Sequence, residues 1–280
     1  MQEKLNKGAR RAWAAVRLAG QKFMLIDGGQ RAAAFAYSFV LALVPALILF
    51  VTAASFFMDH GRAAGAVLSY VGNFVPAAGG PEGRVFEAVS QLIKGRGTAG
   101  LFALLMLVWA AAQLFTTLIQ ASNRAWGTTG GNWWKLPLKS VALLGILTLG
   151  VVAGVGIPML AKLAAGALHS KYILPTAHKL SLLFVPWLAV FFSLTFFYKL
   201  APHRRTRYSE VWLSAFCAAV LLYWAQSLFV LYLRHFSAFN AVYGAFAGVI
   251  ALLLWVYISG VIFIFGACLS AAQASTKGRP

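Results

Sequence analysis

Acidic side chains are scarce in this sequence, with six Asp and Glu against 24 Lys and Arg in 280 residues. A hydrolase or a metal-dependent nuclease needs clustered carboxylates, His or Cys, because metal ligands and general bases must converge within hydrogen-bond reach. The acids are instead dispersed, at Glu3, Asp27, Asp59, Glu82, Glu87 and Glu210. The sequence therefore predicts no enzyme active site, no metal site and no cofactor.

Charge of either sign is also sparse: 11% of the residues are charged and 61% are hydrophobic, which is far too apolar for an ordinary soluble domain. Every charged residue and every His lies outside six long uncharged stretches. This distribution indicates that the net charge of +18 belongs to a membrane protein rather than to a protein that binds nucleic acid. Each stretch approaches or exceeds the roughly 20 residues that a helix needs to cross a membrane. The sequence predicts an all-α transmembrane bundle (32–272) with about six spans, at 32–57, 98–121, 140–161, 180–198, 211–233 and 243–272.

The positive charges are unevenly divided between the two sides of this bundle. Segments 1–31, 122–139, 199–210 and 273–280 carry 16 Lys and Arg, whereas the segments on the other side carry 8. Loops rich in Lys and Arg resist translocation. We therefore expect a multi-pass membrane protein with both termini, including the tail 273–280, in the cytoplasm.

Two segments outside the spans have amphipathic patterns. Residues 1–31 predict a basic amphipathic helix on the inner leaflet, with a solvated arm as the alternative. Residues 58–97 have apolar residues on both sides of a turn-rich stretch, which fits two short interfacial helices or a re-entrant pair.

Neutral polar residues form a stripe along the second predicted span. Gln113, Thr117, Gln120 and Arg124 recur at helical spacing, with Asn123 beside them. In hydrocarbon such a stripe must face protein or water, so it either forms hydrogen bonds between helices or lines a polar cleft. As a cleft, these five residues are the predicted substrate path.

Basic residues accumulate where several predicted spans end on the cytoplasmic side. They predict a ring of positive charge that either orients the helices and reaches toward headgroups or captures anionic lipid headgroups. The predicted headgroup-binding residues are Lys199, Arg204, Arg205 and Arg207, with His203, Arg124, Lys135 and Lys139 nearby in the same loops.

Pairs of glycines four residues apart occur in two spans, Gly150 with Gly154 and Gly244 with Gly248. Small residues at this spacing let helix backbones approach closely. We predict packing seams at both pairs, with a gating role as the alternative.

Four segments together resemble the YihY/BrkB family of bacterial inner-membrane proteins, once labelled ribonuclease BN. They are AAAFAYSFVLALVPALILF (Ala32 to Phe50), NRAWG (Asn123 to Gly127), KLAPHRR (Lys199 to Arg205) and YGAFAGVIALLLWVYISGVIFIFGA (Tyr243 to Ala267). The resemblance implies six spans with cytoplasmic termini. Family associations with virulence and with envelope lipid or lipopolysaccharide handling imply a role with lipids or other amphiphiles, and no agreed catalytic residues carry over.

These features lead to three functional hypotheses. The first is a transporter or flippase-like protein for an amphiphilic envelope component, with membrane lipids bearing anionic headgroups as partners and no nucleic acid. The second is a membrane scaffold for envelope partners, and the third is a membrane-bound ribonuclease. A cleft that reaches the membrane midplane favours the first over the second. The sequence leaves the oligomeric state open.

Overall fold

A computed structural model describes residues 2–57, 96–128, 138–143, 145–146, 149–150, 173–204, 206–235 and 245–276. These residues are helical apart from short turns and loops, so the predicted all-α fold is confirmed. The long helices are α1 (Gln2–Leu25), α2 (Gly28–Phe57), α3 (Arg96–Ala125), α4 (Ile173–Leu200), α5 (Tyr208–His235) and α6 (Ala245–Thr276).

Three of the described helices contain stretches that are long and apolar enough to cross a membrane, namely Leu101–Ala125, Tyr208–Leu233 and Gly248–Thr276. A shorter apolar stretch, Phe184–Leu200, forms most of α4. The helices α2 and α4 continue through Pro45 and Pro186, as membrane helices can when neighbouring groups satisfy the backbone that proline frees. The count of six spans remains a prediction, because most of 140–161 and nearly all of 58–97 lie outside the described residues.

The chain divides into two compact units. Unit 1 comprises Met1–Ala32, Phe115–Ala225 and Ser259–Pro280, and unit 2 comprises Ala33–Leu114 and Gln226–Ile258. The interior of unit 1 contains large side chains that are almost fully enclosed, including Ile119, Leu194, Phe197, Tyr198 and Ile264. The ring of Phe197 packs edge-on against Phe263, with centroids 5.8 Å apart.

Two turns in unit 1 use left-handed backbone. Asp27, between α1 and α2, has a φ of 54°, and Gly127, just beyond α3, has a φ of 68°. A residue in this conformation is a common helix terminator, because it turns the chain so that the last carbonyls can be hydrogen-bonded. After α3, the backbone N–H groups of Gly127 and Thr128 donate to the carbonyls of Arg124 and Asn123, at 3.0 and 2.9 Å.

The first helix extends from Gln2, in line with a helix rather than a solvated arm in this segment. Burial along this helix is uneven: Ala15 and Ala19 are buried, whereas Val16 is 44% exposed.

The two predicted glycine seams differ. At Gly150 an added methyl group would overlap the hydroxyl of Ser193 on α4, so close helix packing is confirmed there. At Gly248 nothing in the described part of the chain lies within 4 Å of an added methyl group, so the seam predicted there stays a prediction. Gly154 and Gly244 lie outside the described residues.

Candidate functional site

Three helices of unit 1 end close together, and each C-terminal end accepts a hydrogen bond from a cation. Arg31 Nε donates to the carbonyl of Ile26 after α1 at 2.7 Å, and Lys22 Nζ donates to Ala125 at the end of α3 at 2.9 Å. Lys139 Nζ donates to two carbonyls just after α4, those of Ala201 and Pro202, at 2.8 and 2.9 Å. The last carbonyls of a helix have no partner within the helix and carry partial negative charge, so these cations stabilise the helix ends.

Asn123 joins the end of α3 to the loop that follows α4. Its side chain is buried, and its Oδ1 accepts the backbone N–H of His203 at 2.8 Å. Its Nδ2 lies in hydrogen-bond contact with His203 Nδ1, an arrangement in which the amide donates and the ring nitrogen is unprotonated. Partial burial and the nearby charge of Lys139 lower the pKa of His203, which favours that neutral form.

The same loop is fixed to the start of α5 by Glu210. Its carboxylate accepts the backbone N–H of Arg207 at 2.9 Å, and the backbone N–H of Glu210 donates to the Arg207 carbonyl at 3.0 Å. A carboxylate is favoured at this position because helix N-termini expose unpaired N–H groups. Glu210 is buried and also lies 3.9 Å from Arg204 Nη2.

Aromatic rings lie against two cations, one in the last turn of α4 and one in the loop that follows it. The guanidinium carbon of Arg204 is 5.0 Å from the ring centroid of Trp126, and Lys199 Nζ is 3.3 Å from that of Tyr208. Cations over aromatic faces are attracted by the ring quadrupole. The two side chains are thus held in place while both remain partly accessible.

Seven cationic residues lie at these helix ends and at the start of α5, and we call them the cation cluster: Lys22, Arg31, Arg124, Lys139, Lys199, Arg204 and Arg207. Asp27 and Glu210 are the carboxylates beside it. Burial, followed by the neighbouring charge of Arg124, lowers the pKa of Arg31, although Asp27 acts in the opposite direction. Arg124 and Arg207 are exposed, whereas the other five members are half-buried. The cluster therefore keeps an excess of positive charge at an accessible surface.

The structure divides the predicted polar stripe. Gln113 belongs to unit 2, where it lines a pocket of about 200 Å³ with Tyr37, Ser38, Leu41 and Trp109. Thr117 is half-buried and Gln120 is exposed, both in unit 1. Gln113 and Thr117 each have an interaction partner.

The stripe's last two residues are both part of the assembly around the helix ends. Asn123 is committed to the hydrogen bonds with His203, and Arg124 belongs to the cation cluster. For Asn123, therefore, the alternative of hydrogen bonds between structural elements applies rather than that of a polar cleft. Whether the other stripe residues line a path stays a prediction.

Of the predicted headgroup-binding residues, Lys199, Arg204 and Arg207 come together in the cation cluster, and Arg205 lies outside the described residues, as does Lys135. Sequence reasoning missed the contributions of Lys22, Arg31, Trp126 and Glu210. The spacing of Arg207 and Glu210 is that of a helix-capping carboxylate at the third helical position and could have identified Glu210. Lys22 gave no comparable signal, because its carbonyl partner Ala125 lies 103 residues away and depends on how the helices pack. Within the described ranges, no three His, Cys, Asp or Glu side chains are grouped so that they could hold a metal ion.

Long apolar helices and cations gathered where helices end define the class: this is a polytopic α-helical membrane protein. Residues 19–279 match the profile of the family described as virulence factor BrkB, and the chain belongs to that family. The recognised resemblance is thereby confirmed.

Relatives of this chain are named UPF0761 membrane proteins. The one from Pseudoalteromonas atlantica is 28% identical over 83% of this chain and 76% of its own length, and the one from Haemophilus influenzae is 27% identical over 86% and 88%. A Pseudomonas aeruginosa relative is 29% identical over 99% of this chain. The chain spans 66% of that relative and 60% of relatives from Neisseria meningitidis. No solved structure matches the chain.

Proposed function

We propose that this protein is a transporter or flippase-like protein of the bacterial inner membrane that handles an amphiphilic envelope component, and that the cation cluster binds its anionic headgroup. In this proposal both termini are cytoplasmic and the cluster lies at the inner leaflet, where anionic lipids concentrate. The protein performs no covalent chemistry on its substrate.

The observation that carries the proposal is the composition of the cation cluster. Seven cationic residues lie at the ends of α1, α3 and α4 and at the start of α5, with Asp27 and Glu210 as the neighbouring carboxylates. Helix capping accounts for Lys22, Arg31 and Lys139. It does not account for the exposed Arg124 and Arg207, where a headgroup phosphate would supply the missing negative charge.

Scaffolding for envelope partners is the second candidate. It is favoured by the commitment of Asn123 and Lys139 to contacts between helices, which is what a bundle built for rigidity requires. A scaffold predicts that neutralising the exposed arginines leaves lipid movement unchanged.

The test uses the double variant Arg124→Gln with Arg207→Gln, reconstituted in vesicles of equal parts phosphatidylcholine and phosphatidylglycerol. Each basic residue near an anionic surface contributes about 1 kcal/mol, so the double variant should bind phosphatidylglycerol about 30-fold more weakly at low salt. The difference should shrink at high salt because mobile ions screen exposed charges. Transbilayer movement of fluorescent phosphatidylglycerol, followed by chemical quenching of the outer leaflet, should slow in parallel.

Arg17→Gln is the matched control, since Arg17 is an exposed arginine of α1 that has no contact with the cluster in the described structure. It removes one positive charge where the double variant removes two, and it measures how much each exposed charge contributes to the non-specific attraction to an anionic membrane. If the double variant binds and moves the lipid as the wild type does, headgroup capture by the cluster is wrong. Normal binding without any transbilayer movement in the wild type would favour the scaffold.

A further inference from the structure

An apolar groove of about 650 Å³ lies within unit 1, between α4 and the helical residues around 149–150. Its volume is in the range of about 300–1,000 Å³ that is typical of small-molecule sites. Residues that line it include Leu149, Gly150, Leu188, Ser193, Phe196 and Leu200.

The close approach at Gly150 forms one part of the groove. Because an added methyl group there would overlap the Ser193 hydroxyl, the two backbones are nearly in contact at this point. The larger side chains on either side remain exposed, with Leu149 at 69%, Leu188 at 39% and Phe192 at 51%. The groove is therefore open, and its lining suits a hydrocarbon occupant rather than a polar one.

The groove extends along α4 from Val185 to Leu200. At the helical rise per residue this is roughly 22 Å, which exceeds half of the ~30 Å hydrocarbon core of a bilayer. The groove is therefore long enough to hold one acyl chain of a lipid in a single leaflet.

One end of the groove meets positive charge. Phe196, which lines the groove, packs edge-on against Tyr208, with ring centroids 6.5 Å apart. Lys199 Nζ lies 3.3 Å from the centroid of that same Tyr208 ring. An apolar channel that ends at an aromatic ring and an ammonium group matches an amphiphile with a hydrocarbon tail and an anionic head.

We propose that this groove binds one acyl chain of an anionic phospholipid, with the headgroup phosphate at Lys199. This inference rests on the proposed function and extends it, since it assigns the site of the hydrocarbon tail as well as that of the head. A lipid held in this way occupies a defined place against α4 and is distinct from the lipids that surround any membrane protein.

The test is native mass spectrometry of delipidated protein titrated with palmitoyl-oleoyl phosphatidylglycerol. Leu188→Trp fills the groove, whereas Val190→Trp places the same side chain two residues away, outside it. The two positions are a matched pair because Leu188 and Val190 are both 39% exposed. Leu188→Trp should weaken lipid binding by about tenfold or more, and Val190→Trp should leave it within about twofold.

Two further measurements test separately where the acyl chain and the headgroup of the lipid bind. Leu188→Trp should leave binding of dihexanoyl phosphatidylglycerol unchanged, because its short chains cannot occupy the length of the groove. Lys199→Met should reduce the preference for phosphatidylglycerol over phosphatidylcholine with the same chains. The thermal midpoint of each variant is recorded to verify that it is folded.

The outcomes separate this inference from the proposed function. If Leu188→Trp retains the long-chain lipid while Arg124→Gln with Arg207→Gln loses it, the groove is not the acyl site although the cluster still binds headgroups. If Leu188→Trp loses the lipid and the arginine variant does not, the groove inference holds and headgroup capture by the arginines fails. A change in the number of chains per particle, with lipid binding intact, would make the groove an interface between copies and overturn the inference.

Discussion

The two halves of α6 are both apolar, yet they have different surroundings. Ile250, in the half that belongs to unit 2, is 48% exposed, whereas Ile264, in the half that belongs to unit 1, is 1% exposed. Hydropathy identifies both halves as membrane-compatible, because lipid and protein interior are similarly apolar. It does not distinguish a surface that faces lipid from one that packs against other helices.

Specific contacts distinguish the buried half. The Tyr198 hydroxyl of α4 donates to the Phe263 carbonyl at 3.1 Å, and the Ser214 hydroxyl of α5 donates to Gln273 at 3.4 Å. In the unit 2 half, Trp255 packs against Phe229 of α5 with ring centroids 5.2 Å apart. Buried polar groups need defined partners, so the unit 1 half is fixed by hydrogen bonds as well as by packing.

The largest expected effect comes from Gly266, in the unit 1 half of α6. In Gly266→Ala the new methyl group would overlap the Tyr198 hydroxyl and lie 2.7 Å from Tyr198 Cζ. Overpacking of this kind costs about 1–3 kcal/mol, and we expect the upper end because the hydrogen bond to Phe263 is also lost. The thermal midpoint in detergent should fall accordingly.

Gly248→Ala is the control, because no described atom lies within 4 Å of its added methyl group. We expect no loss of stability and a gain of up to about 1 kcal/mol from helix propensity. Tyr198→Phe should restore part of the loss in Gly266→Ala, since the two substitutions share one contact. If Gly266→Ala and Gly248→Ala change the thermal midpoint equally, the two halves of α6 do not differ in how tightly they are packed.

A smaller effect is expected from Lys139→Met, which tests whether the cation caps hold the packed end together. The substitution removes the donor to both carbonyls after α4 and should destabilise the protein by about 2 kcal/mol, the size of a charged hydrogen bond. Arg17→Met, at an exposed site of α1, should change the thermal midpoint little. If Lys139→Met leaves the thermal midpoint unchanged, Lys139 contributes charge to the surface but does not stabilise the fold.

The smallest effect is a dependence on pH at the Asn123 junction. The pKa of His203 is lowered from its ordinary value of 6.5 by partial burial and by Lys139. Well above pH 6.5 the ring is neutral in both the folded and the unfolded chain. As pH falls below 6.5 the unfolded chain binds a proton first, so stability declines until the pH passes the lower pKa of the folded state.

We expect thermal unfolding to detect this decline, and His203→Gln to reduce its slope between neutral pH and the range in which the carboxylates titrate. Charged groups near the junction, Lys139, Arg204 and Glu210, remain in both proteins, so the difference isolates the imidazole. An identical slope in the variant would assign the dependence to other groups.

The helices could largely be predicted from the sequence, whereas the roles of residues at the site could not. The uncharged stretch 98–121 lies within α3, and 211–233 lies within α5, because a charged side chain marks each limit. Asn123 is placed by the sequence beside the stripe that begins at Gln113 only because it precedes Arg124 in the chain. Its actual partner is His203, 80 residues away, and periodicity within one helix cannot contain that information.

The sequence by itself determined that the chain is a helical membrane protein with positive charge concentrated between its helices. That follows because the free energy of moving a side chain from water to oil is a property of the residue and its near neighbours. Only the tertiary structure decided which cations cap helix ends and which remain exposed, and which half of α6 is enclosed. Those outcomes depend on carbonyls, rings and glycines brought together from distant segments, whose contacts no single helix specifies.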